Sequence, residues 1–273
     1  GVVYHFYCAV GNVGRTIALA TSHDLRSGAA ASSITPANLR CESAVDPLGV
    51  DVAKPRRSWT VESDKRGARQ TAYEVLVAST AEKLADDDGD LWNSGKVDSD
   101  ETRHIRYAGN PLESSQEVFW KVRTWDEASN ASTWSEPATF TMGVLKPEDW
   151  QAKWIVAPWT SEAMLLRREF AVKPGLKRAI AHVCGLGLFE MSINGKKSGD
   201  GLLAPGWSKY NHTALYETHD VTPLLHEGLN AVGLALGDGM YNVERRNRFS
   251  KVRTGRCGRS PKSSSNMRTA RTS

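Results

Sequence analysis

Val118-Phe119-Trp120-Lys121-Val122-Arg123-Thr124-Trp125 is the stretch whose reading decides the fold. Successive side chains of a strand point to opposite faces, so Val118, Trp120, Val122 and Thr124 share one side, with Phe119 and Trp125 on the other. Ala72-Tyr73-Glu74-Val75-Leu76-Val77 repeats the pattern, putting Tyr73, Val75 and Val77 on one face. Ser58-Trp59-Thr60-Val61 after Pro55, and Thr139-Phe140-Thr141-Met142, extend the set. Short strands parted by turn residues over about 105 residues describe one antiparallel β-sandwich, not βαβ units. Its bounds are set at 38–145.

Beyond it, Trp150, Trp154 and Trp159 crowd a connector, 146–163, read as packing on a neighbouring domain. A second strand-rich region, 164–249, carries Leu166–Phe170, Ala179–Val183, Leu188–Ile193 and Ala231–Ala235. Its Asn194-Gly195 dipeptide is the signature of a tight hairpin. No period persists over 1–37, which is taken as an unstructured leader. Its apolar stretch is interrupted by His5, Asn12 and Arg15, against a secretory signal, and localisation stays open. The segment 250–273 has almost nothing apolar to bury and is expected to be disordered. The fold class is therefore all-β, two antiparallel sandwiches in tandem with disordered termini.

The 273 residues are 40% hydrophobic and 24% charged, with a mean hydropathy of −0.43, and no apolar run approaches the roughly 18 residues of a membrane span. The net charge of +4 comes from the C-terminal segment: residues 245–273 hold ten Lys or Arg and no acid, leaving 25 basic against 31 acidic groups elsewhere, or −6. That distribution speaks against a nucleic-acid-binding fold and for neither nucleic acid nor membrane as partner. Cys8, Cys41, Cys184 and Cys257 have no metal or disulfide spacing.

Gly185 and Gly187 form only a GxG with no helix start behind it, so a dinucleotide site is rejected. Asp86-Asp87-Asp88-Gly89-Asp90 lacks EF-hand spacing and reads as a solvated acidic turn. The seven histidines are scattered, no nucleophile elbow or HExxH is present, and no carboxylate pair stands out. No catalytic and no metal-ligating residue is nominated. Asn130-Ala131-Ser132 and Asn211-His212-Thr213 have the form of glycosylation acceptors.

Leu203-Ala204-Pro205-Gly206-Trp207-Ser208-Lys209-Tyr210-Asn211 and Gly237-Asp238-Gly239-Met240-Tyr241-Asn242 each place aromatics beside Gly, Asp and Asn in a turn. That is a sugar site's inventory, an aromatic face for the ring and short polar groups for hydroxyls, and equally that of packing turns. The candidate carbohydrate-binding residues are Trp207, Tyr210, Asp238, Tyr241 and Asn242.

Taken together these motifs resemble the N-terminal, non-catalytic region of the bacterial and fungal α-L-rhamnosidases of glycoside hydrolase family 78. The first domain is similar to that family's fibronectin type III-like module through Pro55-Arg56-Arg57-Ser58-Trp59, Leu91-Trp92-Asn93-Ser94-Gly95 and Trp120–Asp126. The second resembles its jelly-roll-like N-terminal sandwich through Cys184-Gly185-Leu186-Gly187, Ile193-Asn194-Gly195-Lys196, Leu203–Trp207 and Gly237–Asn242. The likeness spans 38–249. It implies a parent glycosidase of carbohydrate metabolism that removes terminal α-L-rhamnose on an (α/α)6 barrel of which no part is visible here. It further implies rhamnose-containing glycosides and that missing barrel as partners, with calcium conceivable at the sugar site. Met240 departs from the family pattern, where an aromatic is expected. Against the same family the Arg/Ser segment reads as a truncated or frame-shifted product; the alternative is a stand-alone rhamnose-binding module.

Overall fold

A computed structural model describes residues 32–156 and 163–241, with the backbone alone of 2–11 and 14–23. The strands are β1 (Val2–Gly11), β2 (Gly14–His23), β3 (Thr35–Cys41), β4 (Arg56–Glu62) and β5 (Ala72–Ala78), then helix α1 (Ala81–Ala85). There follow β6 (Trp92–Asn93), β7 (Val97–Asp98), β8 (Ile105–Arg106), β9 (Glu117–Trp125) and β10 (Ala138–Thr141). The second region holds β11 (Ala163–Val172), β12 (Ile180–Val183), β13 (Leu188–Ile193), β14 (Lys196–Lys197), β15 (Glu217–Asp220) and β16 (Gly228–Gly237).

The first sandwich packs a three-stranded sheet, β3-β4-β8, on a sheet ordered β10-β9-β5-β6, with β7 also on β5. The deciding stretch is β9, and its alternation holds: Val118, Trp120, Val122 and Thr124 are fully buried while Phe119 and Trp125 are half-buried. Tyr73, Val75 and Val77 of β5 join them with Trp59, Ile105, Tyr107, Phe140 and Met142 in one core. The Trp59 indole donates to Gln70 Oε1 at 2.9 Å, so its buried N–H is satisfied. β5 is buried on its other face too, where Leu76 and Ala78 meet Leu84 of α1, with Phe119 and Trp134 against them. Thr80 caps that short helix by accepting from Lys83 N–H at 3.3 Å.

Arg57 breaks the apolar rule. The pleat of β4 that turns Trp59 inward turns Arg57 inward as well, and its guanidinium is fully buried without a hydrogen-bond partner among the described residues. It lies 4.8, 5.2 and 5.8 Å from the ring centres of Trp92, Tyr107 and Trp120. Desolvated cation–π contacts of about 2 kcal/mol offset part of the cost of burying the charge. Burial still pulls its pKa down to about 10.

The second sandwich sets β11-β16-β13-β14 against the two-stranded β12-β15. The Asn-Gly dipeptide makes the hairpin between β13 and β14, with Asn194 at φ 52° and Gly195 at φ 79°, the left-handed pair that such a turn requires. Among the described residues Phe189, Met191, Ile193 and Val221 are buried in its core, with Val183, Val232, Leu234 and Leu236 half-buried around them.

The acidic turn is an ion-paired one: Asp87 meets Lys121, and Asp90 accepts from Lys83 Nζ and Ser79 Oγ, both at 2.7 Å. The region 1–37 differs from its reading as unstructured. The backbone pairs β1 with β2 from Val2↔His23 to Gly11↔Gly14, and β3 begins at Thr35. β1 is rich in β-branched and aromatic residues that suit a strand. The residues 242–273, including the basic segment, lie outside the described residues, as does Trp159.

Candidate functional site

The two sandwiches meet along a seam built on β12 and β15. The Tyr216 hydroxyl accepts from Val144 N–H at 3.0 Å in a buried site. It approaches Gly143 so closely that any side chain there would collide with it. Trp150 of the connector packs on the same ring at 5.6 Å between centres, so one connector tryptophan does dock as its clustering suggests, while Trp154 is half-exposed. The His182 imidazole lies across the seam, Nε2 2.8 Å from Ser115 Oγ and Nδ1 2.9 Å from Thr218 Oγ1, and its burial lowers its pKa. Arg178 reaches Thr141 and sits 3.4 Å from Glu117.

Beside the seam opens a cavity of about 450 Å³, within the range for small-molecule sites. Its walls come from the loop that leaves β14 and from β15, with Leu48 of the first sandwich closing one side. The loop is anchored to β13 at both ends: Ser198 N–H donates to Met191 O at 2.9 Å and Phe189 N–H to Ala204 O at 2.7 Å. It continues through a cis Ala204-Pro205 bond to Gly206. Polar lining comes from Asp200, Glu217, His219 and Asp220. Glu217 Oε2 is 3.4 Å from His219 Nε2, and that nitrogen is buried with no closer hydrogen bond.

None of the described sequence candidates lines this cavity. Trp207 follows Gly206 of the lining and is 72% exposed, an open indole face. Tyr210 and Tyr241 come together edge to face with ring centres 5.3 Å apart. Burial raises the Tyr210 pKa, with the neighbouring Cys184 adding to it. Asp238 sits in the same turn as Tyr241, its carbonyl accepting from Tyr241 N–H at 3.2 Å. Met240 is 45% exposed. Asn242 lies outside the described residues. Asp200 stands 17 positions before Glu217 and joins Glu217, His219 and Asp220 of β15 only where the loop after β14 folds against that strand, so the group escaped the sequence reading. The signal that could have found Asp200 is its Gly-Asp-Gly loop just ahead of the Pro205-Gly206-Trp207 turn.

Burial pushes the Cys41 thiol up to about 12 and Cys184 to about 11, so neither is a nucleophile at neutral pH. No three His, Cys, Asp or Glu converge to hold a metal among the described residues. A calcium at the aromatic turns would have Asp238 as its one described side-chain carboxylate, fewer hard oxygen ligands than calcium takes, so the described residues do not fit it.

Two family models match the chain in order. The first, described as the Rha78A-like N-terminal immunoglobulin domain, matches residues 36–146. The second, the alpha-L-rhamnosidase N-terminal domain, matches 175–270. The chain belongs to the N-terminal region of the family 78 α-L-rhamnosidases. An α-L-rhamnosidase of Formosa agariphila is 34% identical over 221 residues, 72% of this chain and 23% of the relative. Among solved structures, the α-L-rhamnosidase from Dictyoglumus thermophilum aligns at TM-score 0.72 and 37% identity over 76% of this chain and 25% of its own. That from Aspergillus terreus aligns at 0.64 and 27% identity, over 76% and 24%. The chain thus spans about a quarter of the length of these rhamnosidases. The second match runs past 249, where the resemblance read from the sequence ends, to residue 270. No described helix is long and apolar enough to cross a membrane.

Proposed function

We propose that this chain is the accessory, non-catalytic region of an α-L-rhamnosidase-like glycoside hydrolase, which positions a catalytic barrel and presents substrate to it. The observation that carries this is the pairing of two rhamnosidase-type sandwiches, in order, with a second sandwich that leaves apolar side chains uncovered. Leu165, Leu202, Leu203 and Leu229 are each more than 60% exposed. Leu202 and Leu203, adjacent and both exposed, leave an apolar spot of the kind that meets other protein. The parent activity is hydrolysis of terminal α-L-rhamnose from rhamnose-containing glycosides, and no residue of this chain is assigned a catalytic role. Incubation with an aryl α-L-rhamnoside tests this: the chain alone releases no phenol, and turnover proportional to its concentration would overturn the reading.

A second reading, a carbohydrate-binding module for L-rhamnose, is favoured by the exposed Trp207, which follows Gly206 of the seam cavity in the chain, and by the pair of Tyr210 and Tyr241. Asp238, with Asn242, would meet the hydroxyls while the indole stacks on the ring. Calorimetry with L-rhamnose, with and without calcium, decides it. Saturable heat that Trp207→Ala weakens supports the reading; no heat in either condition removes it.

A further inference from the structure

The sheet β3-β4-β8 turns one face away from the core of the first sandwich. Arg40, Arg56, Arg103, His104 and Arg106 are all exposed on that side. Arg56 and Arg106 are direct partners across β4 and β8. Like charges opposite one another weaken a strand pair, so stability alone does not account for this choice. Nor does a general basic excess, because residues 1–244 carry 25 basic against 31 acidic groups.

The same face holds a groove of about 390 Å³ lined by Arg40, Arg56, Arg103, His104 and Ser58. Its one carboxylate, Glu42, is committed to Arg56, with Nη2 2.6 Å and Nε 3.1 Å from Oε2. Arg40 donates to the Ser43 carbonyl at 3.1 Å and keeps its other donors. Arg103 and His104 carry no ion pair or side-chain hydrogen bond among the described residues, and His104 is held at φ 58°. Convergent guanidinium forks with unused donors match the planar, multi-oxygen geometry of a carboxylate or sulfate.

We propose that this groove binds an oxyanion group, a carboxylate or a sulfate ester, carried on a saccharide. Its concave shape and volume suit a sugar ring or two, and Ser58 with the amide of Asn38 supplies neutral groups for hydroxyls. An acidic peptide would instead call for a long open strip. The site lies on the first sandwich, apart from the seam cavity and the aromatic turns, and does not depend on either of them binding a ligand.

The test titrates the full chain with D-glucuronate, glucose 6-sulfate, glucose and inorganic sulfate at constant ionic strength, followed by amide chemical shifts. Glucuronate or glucose 6-sulfate saturates shifts confined to 38–43, 56–60 and 102–106, while glucose does not. Arg103→Gln, an exposed and unpaired position, weakens that binding about tenfold, the worth of one charge-assisted hydrogen bond, with Tm unmoved. The proposal is overturned if neither acidic sugar saturates, or if Arg103→Gln leaves binding unchanged. It is equally overturned if inorganic sulfate binds as tightly as both sugars, or if a glutamate-rich peptide binds more tightly than either.

Discussion

The two sandwiches solve the same problem to different degrees. The first closes sixteen side chains into one core and even covers the outer face of β5 with α1. The second fully buries four and leaves eight more half-covered. The sheets show why: in the first sandwich β5 and β9 face a three-stranded sheet, whereas among the described residues β16 and β13 face the two-stranded β12-β15. A two-stranded partner is too narrow to cover a four-stranded sheet. On the described residues the first domain is expected to be the more self-sufficient, with the second drawing part of its stability from the seam.

The largest expected effect that would sharpen this contrast is in the cores. Trp120→Ala removes a fully buried ring and should cost about 3–5 kcal/mol. Leu234→Ala in the half-covered core should fall below the roughly 2–5 kcal/mol of a fully enclosed leucine, because water already reaches its site. Urea unfolding of both variants checks the ranking, and equal losses would break the comparison. Next comes the seam. Tyr216→Phe leaves the buried Val144 N–H without its acceptor and should cost about 1–3 kcal/mol. The loss should appear mainly in the transition of the second sandwich, read by calorimetry as a split endotherm.

Arg57→Met probes the buried charge of the first core. Replacing an unpaired buried cation by a similar apolar volume should be neutral or stabilising by about 1 kcal/mol, despite the lost ring contacts. A loss above about 2 kcal/mol in urea would show the cation–π cage to be worth more than the desolvation it offsets. The smallest effect is the pH response of the seam. Burial depresses the His182 pKa below its unfolded value near 6.5, so the unfolded state binds the proton more readily. The histidine's contribution is present above that pH and is lost as pH falls through 6.5 toward the folded value. Thermal melts from pH 7.5 to 5 should show the second sandwich weakening, and His182→Gln should remove that slope.

The strands were legible where one face is buried and the other is not, as in β9 and in β13, whose bounds the sequence reading matches at Leu188–Ile193. β4 reads as starting at Ser58 because Arg56-Arg57 looks like solvent-facing charge, yet the pleat carries Arg57 inside. The helix α1 escaped because five residues cannot display a helical period, leaving Thr80 as its main mark. The seam was out of reach for a different reason. Val144 and Tyr216 stand 72 positions apart, and nothing local in either says that they meet. The aromatic turns were found because their chemistry is contiguous in sequence, while the acidic cavity wall is assembled where the loop after β14 folds onto β15.

Native-state hydrogen exchange on the full chain tests the central contrast most directly. The account predicts that amides of β5 and β9 exchange only through global opening of the first sandwich, while those of β12, β15 and β16 exchange through a cheaper local opening, by several kcal/mol. Uniform protection across β5, β9, β12, β15 and β16 would contradict it, showing that the second sandwich is as self-sufficient as the first.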